Sequence, residues 1–404
     1  MGGYANLTRR VKAPVAAPKI TFVYFDAGGG HRAAAEALRS AISGAHRPWE
    51  ITCLNLQELL DEIDLSRKLT GVRLQDVYNA MLEKRWTLGA AQLLPIFHAA
   101  IRLYHRPIVR LLERHWREAP AEMVVSLIPN FNRALAESAR NALPSAPFVT
   151  ILTDLADYPP HCWIEAESEY LICGTERAER QALEMGHPPE RVFRTSGMIL
   201  NPAFYAETAE ERPRRRESLG LDASRLTGLV MFGGHGARVM PAIARRLNSL
   251  ASLQLIFICG RNQEIQARLQ QIPFRIPVYI EGFTERVQDY MSISDFLIGK
   301  PGPGSVSEAL QMGLPVIVER NAWTLPQERF NADWIQEMEI GIVLTNFRQI
   351  APTVERLTDP AELERYRAKV RALENRAVFE IPEILAGILQ NNPRGSAMQE
   401  QPAP

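Results

Sequence analysis

Residues 25–32 read FDAGGGHR: three glycines and a histidine behind a short apolar run, with a helical pattern following. Gly28, Gly29 and Gly30 at the carboxyl end of a strand let the backbone turn tightly and approach a ligand closely. A helix opening there offers free N–H groups and the positive end of its dipole. His31 stands among those donors, where a neutral imidazole is favoured over a charged one. A neutral imidazole suits a general base. The competing reading is that His31 only caps or packs the start of the helix.

Two further stretches repeat the order strand, glycine turn, helix. VMFGGHGARV places Gly233, Gly234 and Gly236 behind a strand, although a tight turn without a ligand needs the same glycines. In IGKPGPGSVSEALQMGLP, residues 298–315, backbone N–H groups around Gly302, Gly304 and Ser305 could cradle a pair of phosphates, with Lys300 as a nearby cation. Ser305 and Glu308 also spell a capping box, S-x-x-E, which accounts for both residues structurally. The same glutamate could instead accept two hydrogen bonds from a ribose diol. TLPQERFNADW then supplies Gln327, Glu328 and Asn331, the paired donors and acceptors that sugar hydroxyls need. Polar residues also open ordinary surface helices.

Two familiar nucleotide motifs do not fit. The run from Gly28 to Ala33 lacks the third glycine of G-x-G-x-x-G, and the second strand ends in Asn55 rather than an acid, so a nicotinamide dinucleotide fits badly. No G-K-[ST] follows any glycine run, which excludes a P-loop.

The elements that must position these residues are legible as alternation. Six short, nearly continuous apolar runs precede residue 200: KITFVYFDA, WEITCLN, EMVVSLI, PFVTILTD, EYLICGT and RVFRTSG. Six more follow it: LTGLVMFGG, LQLIFICG, PVYIEGF, SDFLIGK, LPVIVER and GIVLT. Strands covered by helices on both faces read this way. The expectation is an α/β protein of two doubly wound domains, at 19–200 and 216–370, joined by a polar linker at 201–215. A helix at 371–390 that packs across both is expected at the end. Residues 1–18 read as a flexible tail and 391–404 as a disordered one.

Composition narrows the class. Basic and acidic side chains are equal in number, so whole-chain charge gives no argument for a nucleic-acid partner. Cys53, Cys162, Cys173 and Cys259 are widely spaced with no C-x-x-C, against a structural zinc site, and they fit a reducing, cytoplasmic location. No apolar run is long enough to span a bilayer.

One segment breaks the alternation. Residues 66–117 form a long helical stretch without a strand, with ten Lys or Arg against three acids, a formal +7. Arg102, Arg106, Arg110 and Arg114 recur every fourth residue and share a helical face. Leu93, Leu94, Ile96, Phe97, Ile101, Ile108, Leu111 and Leu112 are expected to supply apolar surface, with Pro107 kinking or dividing the helix. A basic amphipathic helix can lie on an anionic membrane. A solvated basic face over a core-packed apolar face is the alternative.

FDAGGGHRAAAEAL, TDLADYPP, GKPGPGSVSEALQMGLPVIV and PQERFN, taken in order, resemble the family of monogalactosyldiacylglycerol synthases and processive diacylglycerol glucosyltransferases. The resemblance spans about residues 20–370. It implies the GT-B fold, two Rossmann-like domains facing across a cleft. It also implies transfer of a hexose from UDP-galactose or UDP-glucose to a lipid, diacylglycerol above all, with inversion and without a cofactor or a D-x-D-bound metal. This sequence contains no D-x-D. By the same resemblance the second domain holds the UDP-sugar. Gly302, Gly304, Ser305 and Lys300 take the diphosphate, Glu308 the ribose, Phe283 the base, and Gln327, Glu328 and Asn331 the sugar. The 233–236 loop closes over the phosphates. The first domain takes the acceptor, with His31 as base and Asp154 as a rival base or the partner that orients His31. The family's region corresponding to 66–117 meets the membrane, which makes peripheral membrane association the expectation. His235 stands where the galactosyltransferases more often carry an acid. Three rivals remain open at this point: a UDP-GlcNAc 2-epimerase-like enzyme, a glycosyltransferase with another lipid or a soluble acceptor in place of diacylglycerol, and a binding module without catalysis.

Overall fold

The computed structural model describes residues 17–26, 30–61, 101–158, 161–206, 212–322 and 324–392. Each of the twelve apolar runs forms a strand. The first six are β1 (Lys19–Tyr24), β2 (Glu50–Asn55), β3 (Met123–Ser126), β4 (Phe148–Ile151), β5 (Tyr170–Cys173) and β6 (Val192–Arg194). The second six are β7 (Leu226–Met231), β8 (Leu253–Ile258), β9 (Val278–Glu281), β10 (Phe296–Gly299), β11 (Val316–Glu319) and β12 (Gly341–Leu344). They build two six-stranded sheets, ordered β2-β1-β3-β4-β5-β6 and β12-β11-β10-β7-β8-β9. Every pairing is parallel. The central strands are buried on both faces, as MVVS in β3 and FLIG in β10 show. That double burial is why they read as continuous apolar runs.

Strand order reverses between β1 and β3 in the first sheet and between β7 and β10 in the second. In open parallel sheets the crevice at such a reversal, outside the carboxyl ends of the strands, is where ligands bind. The FDAGGGHR turn follows β1, the GGHG turn follows β7, and the GKPGPG turn follows β10. The GGHG and GKPGPG turns therefore lie at a switch point, as does the helix start at Gly30.

Five helices bear on the site. Helix α1 (Gly30–Gly44) lays Ala34, Ala35, Ala37, Leu38, Ala41 and Ile42 against the first sheet. Helix α2 (His105–Glu118) belongs to the basic segment, of which residues 66–100 lie outside the described residues. A break at Tyr104 separates α2 from the helical turn before it, three residues ahead of Pro107. Helices α3 (Pro303–Gln311) and α4 (Pro326–Glu337) follow β10 and β11. Helix α5 (Ala377–Gln390) ends the described chain.

The structure corrects the expected membrane face of α2. Ile108, Leu111 and Leu112 are 4%, 4% and 0% exposed, and Ile108 and Leu112 pack with Trp116 into the core beneath β3 and the helix at 132–142. Their apolar surface is spent inside the domain. Arg102, Arg106 and Arg110 remain exposed, and Leu103, 78% exposed, is the apolar side chain beside them.

The chain crosses between the sheets twice. Helix α5 joins the core of the first sheet: Val378, Ile381, Leu385 and Ile388 are buried there with Leu38 and Ile42 of α1. Burial of each such side chain is worth roughly 1.5–3 kcal/mol, enough to dock the helix firmly. The two crossings are bolted to one another. Glu380 accepts hydrogen bonds from the Ser196 backbone N–H and hydroxyl at 2.8 Å each, and Asn375 donates to the Met198 carbonyl at 3.0 Å. Gly197 has no room for a side chain, since a Cβ there would lie 2.5 Å from Asn375. Within the stretch expected as a linker, Pro202–Tyr205 forms a short 3-10 helix and Arg212–Ser218 an α-helix, with 207–211 outside the described residues. Arg212 and Arg216 of that helix bond Asp295 at 2.6 and 2.9 Å, tying it to the second sheet.

Candidate active site

At the first switch point, α1 opens with Gly30 and places His31 at its first turn; Gly28 and Gly29 lie outside the described residues. The His31 imidazole Nδ1 is 3.0 Å from the Thr153 hydroxyl, just beyond β4. Asp154 does not orient His31 directly. Its carboxylate instead accepts a hydrogen bond from the Trp163 indole at 2.9 Å, and the Trp163 ring lies 5.8 Å from the His31 ring. The buried tryptophan thus stands between the two titratable groups. Asp157 fixes the loop that carries it, accepting backbone N–H bonds from His161, Cys162 and Trp163 at 2.8–3.0 Å.

Electrostatics at this edge follow from desolvation. Burial pushes the His31 imidazole down to about 4, partly offset by the Leu127 carbonyl, so it is neutral at pH 7. Burial pushes the Asp154 carboxyl up to about 6; the Trp163 donor lowers it, Glu328 raises it and Lys300 lowers it again. Glu328 and Lys300 belong to the second sheet's helices and loops. Asp154 is therefore within Coulomb range of charges carried by the second sheet's edge.

The second switch point is built mainly from backbone. Gly233 and Gly236 have φ of +77° and +58°, the left-handed region that disfavours side chains. A Cβ at Gly236 would lie 2.7 Å from the Cys259 carbonyl oxygen. Gly260 is the tightest point: φ is +60°, and a Cβ would sit 2.2 Å from the Gly234 carbonyl oxygen. The Arg261 N–H donates to that same oxygen at 2.8 Å. The Arg261 guanidinium stacks 4.4 Å over the Phe283 ring, which is 46% exposed. Glu281 steadies the Phe283 loop by accepting bonds from the Gly282 N–H and the Tyr279 and Tyr290 hydroxyls.

Helix α3 starts at Pro303 with Gly302 as its N-cap and has no side-chain cap. This corrects the capping-box reading, because Ser305 lies at the third helical position rather than at the cap. The helix begins ahead of Ser305 because proline is pre-organised for the first helical position. Its N-terminal amides are left without a side-chain acceptor, which is what an anion needs. Around that N-terminus, a Cβ on Gly302 would touch Lys300 at 3.3 Å, Ser305 at 3.5 Å and Glu328 at 3.6 Å. The Lys300 ammonium bonds the buried Glu328 carboxylate at 2.8 Å. Gly234 and Gly304 face open space. Glu308, one turn into α3, has no hydrogen-bond partner for its carboxylate among the described residues, and burial pushes it up to about 7. Gln327 is partly exposed on the first turn of α4. Asn331 is 1% exposed; its amide nitrogen donates to the Pro301 carbonyl at 2.8 Å and holds the loop, while its Oδ1 has no partner among the described residues.

Four residues of the site are not singled out as functional by the sequence reading. Thr153 opens the TDLADYPP stretch, but nothing local points its hydroxyl at His31. Trp163 lies nine residues past Asp154, in a segment without periodicity. Gly260 and Arg261 are the accessible pair, since ICGRN repeats the pattern of a strand ending in glycine. No group of three or more His, Cys, Asp or Glu side chains that could hold a metal ion occurs among the described residues.

Comparisons with known proteins agree with this geometry. The family described as glycosyltransferase family 28 C-terminal domain matches residues 228–320. Those residues hold the GGHG turn, Gly260, Phe283 and the α3 N-terminus. The chloroplastic monogalactosyldiacylglycerol synthase of Spinacia oleracea is 26% identical, over 91% of this chain and 72% of that protein. Among solved structures, MurG of Acinetobacter baumannii superposes with a TM-score of 0.61 at 14% identity, covering 92% of this chain and 100% of its own. The UDP-GlcNAc 2-epimerase of Neisseria meningitidis, bound to UDP-GlcNAc, reaches 0.58 at 15% identity, over 93% of this chain and 100% of that one. The two structures establish the GT-B architecture and nothing about chemistry.

Proposed function

Because this chain belongs to the glycosyltransferase family 28 group that holds the monogalactosyldiacylglycerol synthases, we propose that it transfers a hexose from UDP-galactose or UDP-glucose to a membrane lipid, with diacylglycerol the favoured acceptor and inversion at the anomeric carbon. It is a UDP-sugar-dependent hexosyltransferase. The observation that carries the finer reading is the position of Asp154 within electrostatic reach of Lys300 and Glu328. One edge holds a desolvated base, the other a phosphate cradle, and they face each other.

In this reading the diphosphate sits on the free amides at the start of α3 beside Lys300. Glu308 takes the ribose diol, and the exposed Phe283 ring takes the base. Glu328 and Gln327 meet the sugar. The helix N-terminus and Lys300 stabilise the charge that develops on departing UDP, the part a metal plays elsewhere. The acceptor hydroxyl lies at the first edge, where neutral His31 accepts its proton as the new glycosidic bond forms. A pKa near 4 makes a weak base, so the proton is taken as the bond to the anomeric carbon forms rather than before it. An epimerase reading shares the fold but leaves the built edge around His31, Thr153 and Trp163 without an acceptor to serve.

We place the protein at the cytoplasmic face of a membrane, held peripherally through Arg102, Arg106, Arg110 and the rest of the 66–117 segment against anionic headgroups. No helix among the described residues is long and apolar enough to cross a bilayer. The test is UDP release from UDP-galactose and from UDP-glucose, each with and without diacylglycerol in anionic vesicles. Lipid-dependent release with a glycolipid product is expected. Release without lipid, or sugar epimerisation with no acceptor, would refute the assignment.

A further inference from the structure

The ion pair between Lys300 and Glu328 is chemically odd for a donor site. Lys300 stands beside the uncapped start of α3, where a diphosphate would place its charge, yet its ammonium is already committed to a carboxylate 2.8 Å away. That carboxylate is 9% exposed, while the lysine side chain is 45% exposed. Both touch the space in front of Gly302. A diphosphate arriving there meets a lysine whose charge is half neutralised and a carboxylate that repels it.

We propose that Glu328 competes with the bound diphosphate for Lys300, so that the site holds UDP more weakly than its cradle alone would and regains the difference only when sugar hydroxyls are present to satisfy Glu328. The inference rests on the UDP-sugar reading of this site. With UDP-hexose bound, Lys300 turns to the phosphates and the freed carboxylate accepts hydrogen bonds from the sugar, so no buried charge is left unpaired. After transfer the sugar is gone. Leaving Glu328 bare is then costly, the carboxylate recaptures Lys300, and UDP loses its cation. Glu328 thereby acts as a specificity-determining residue for donor over product. It sits where a purely attractive phosphate site would carry an apolar or amide side chain.

The experiment is calorimetric titration with UDP alone, on the full chain and three variants: Glu328→Gln, Lys300→Met and the double variant. Thermal unfolding of each confirms that it is folded. Glu328→Gln is expected to bind UDP about tenfold more tightly than the parent while its KM for UDP-hexose rises. Lys300→Met is expected to bind UDP weakly, and adding Glu328→Gln to it should bring a clearly smaller gain than in the parent, the relief of direct repulsion alone, because the cation competed for is absent; an equal gain in both backgrounds overturns the competition. Should Glu328→Gln not fold, Glu328→Met makes the same comparison. UDP binding that Glu328→Gln leaves unchanged or weakens overturns this inference and leaves the donor site standing. A parent chain that does not bind UDP overturns both.

Discussion

The two switch points share one sequence grammar, strand, glycine turn and helix, but they are furnished differently. The edge after β1 and β4 works through side chains: His31 on Thr153, Asp154 under Trp163, both carrying pKa values moved far by burial. The edge after β7 and β10 works through backbone: glycines at positive φ, an uncapped helix and one lysine already paired. The difference fits the two tasks proposed above. Moving a proton needs a titratable atom held at one place in a dry setting, which only a packed side chain supplies. Holding a diphosphate needs many donors close together, which amides supply without side-chain entropy or desolvated charge. Glycine at a switch point therefore does not reveal which task a turn performs; the neighbouring side chains do.

The sharpest way to break this division is to remove the imidazole. His31→Ala should lower kcat by roughly 10²–10⁴-fold, the range for losing a general base, while UDP affinity stays at the parent value. The readout is steady-state transfer beside calorimetry with UDP. Loss of UDP binding in His31→Ala would mean that the first edge holds the donor too, and the two-task division would fall. Full activity would remove His31 from the chemistry.

The converse test strains the backbone edge alone. Gly260→Ala forces a Cβ to within 2.2 Å of the Gly234 carbonyl oxygen at a φ of +60°. Such strain costs on the order of 1–3 kcal/mol, and the 233–236 turn must shift to relieve it. UDP affinity should fall by about tenfold or more, with a modest drop in melting temperature. Unchanged UDP affinity would show that the phosphate cradle does not depend on the packing of these two loops.

How much of the molecule is legible in its sequence tracks the physics of each edge. All twelve strands are visible: double burial writes the central ones as continuous apolar runs, while β2 and β9, only partly buried, still read as short runs rich in β-branched residues. The second edge is also largely visible, since glycines at positive φ and a proline-started helix leave residue-type signatures. Even there the pattern misleads once: S-x-x-E reads as a cap, but Pro303 claims the helix start and leaves Glu308 half-buried in the second turn instead. The first edge is half visible. His31 is local to its motif, but Thr153 and Trp163 reach it through strand order, 122 residues away for Thr153, and no local pattern reports that. The amphipathic period of α2 is right. The destination of its apolar face is not, because a helix pattern says which residues share a side and not what covers it.

The smallest effect expected concerns stability rather than turnover, and it tests whether the first edge is as desolvated as its pKa values say. Burial raises the Asp154 carboxyl from 3.8 to about 6. A carboxyl raised on folding holds its proton more tightly in the folded state. Its favourable contribution is complete below pH 3.8 and is lost as pH rises through 6. Above that, the ionised Asp154 works against folding. Asp154→Asn keeps the shape and an acceptor for the Trp163 indole but cannot ionise. It should therefore unfold at higher urea than the parent at pH 8, by about 1–3 kcal/mol, since each tenfold change in the acid constant is worth about 1.36 kcal/mol. The gain should shrink to nothing near pH 4. Urea titrations of both proteins at pH 4, 6 and 8 measure this directly. A constant offset at all three values would mean that Asp154 is solvated in the folded chain, and the first edge would then resemble the second more closely than its side chains suggest. A gain that grows with pH, joined to lost transfer, would show a carboxylate kept at the expense of stability for what it does to the acceptor.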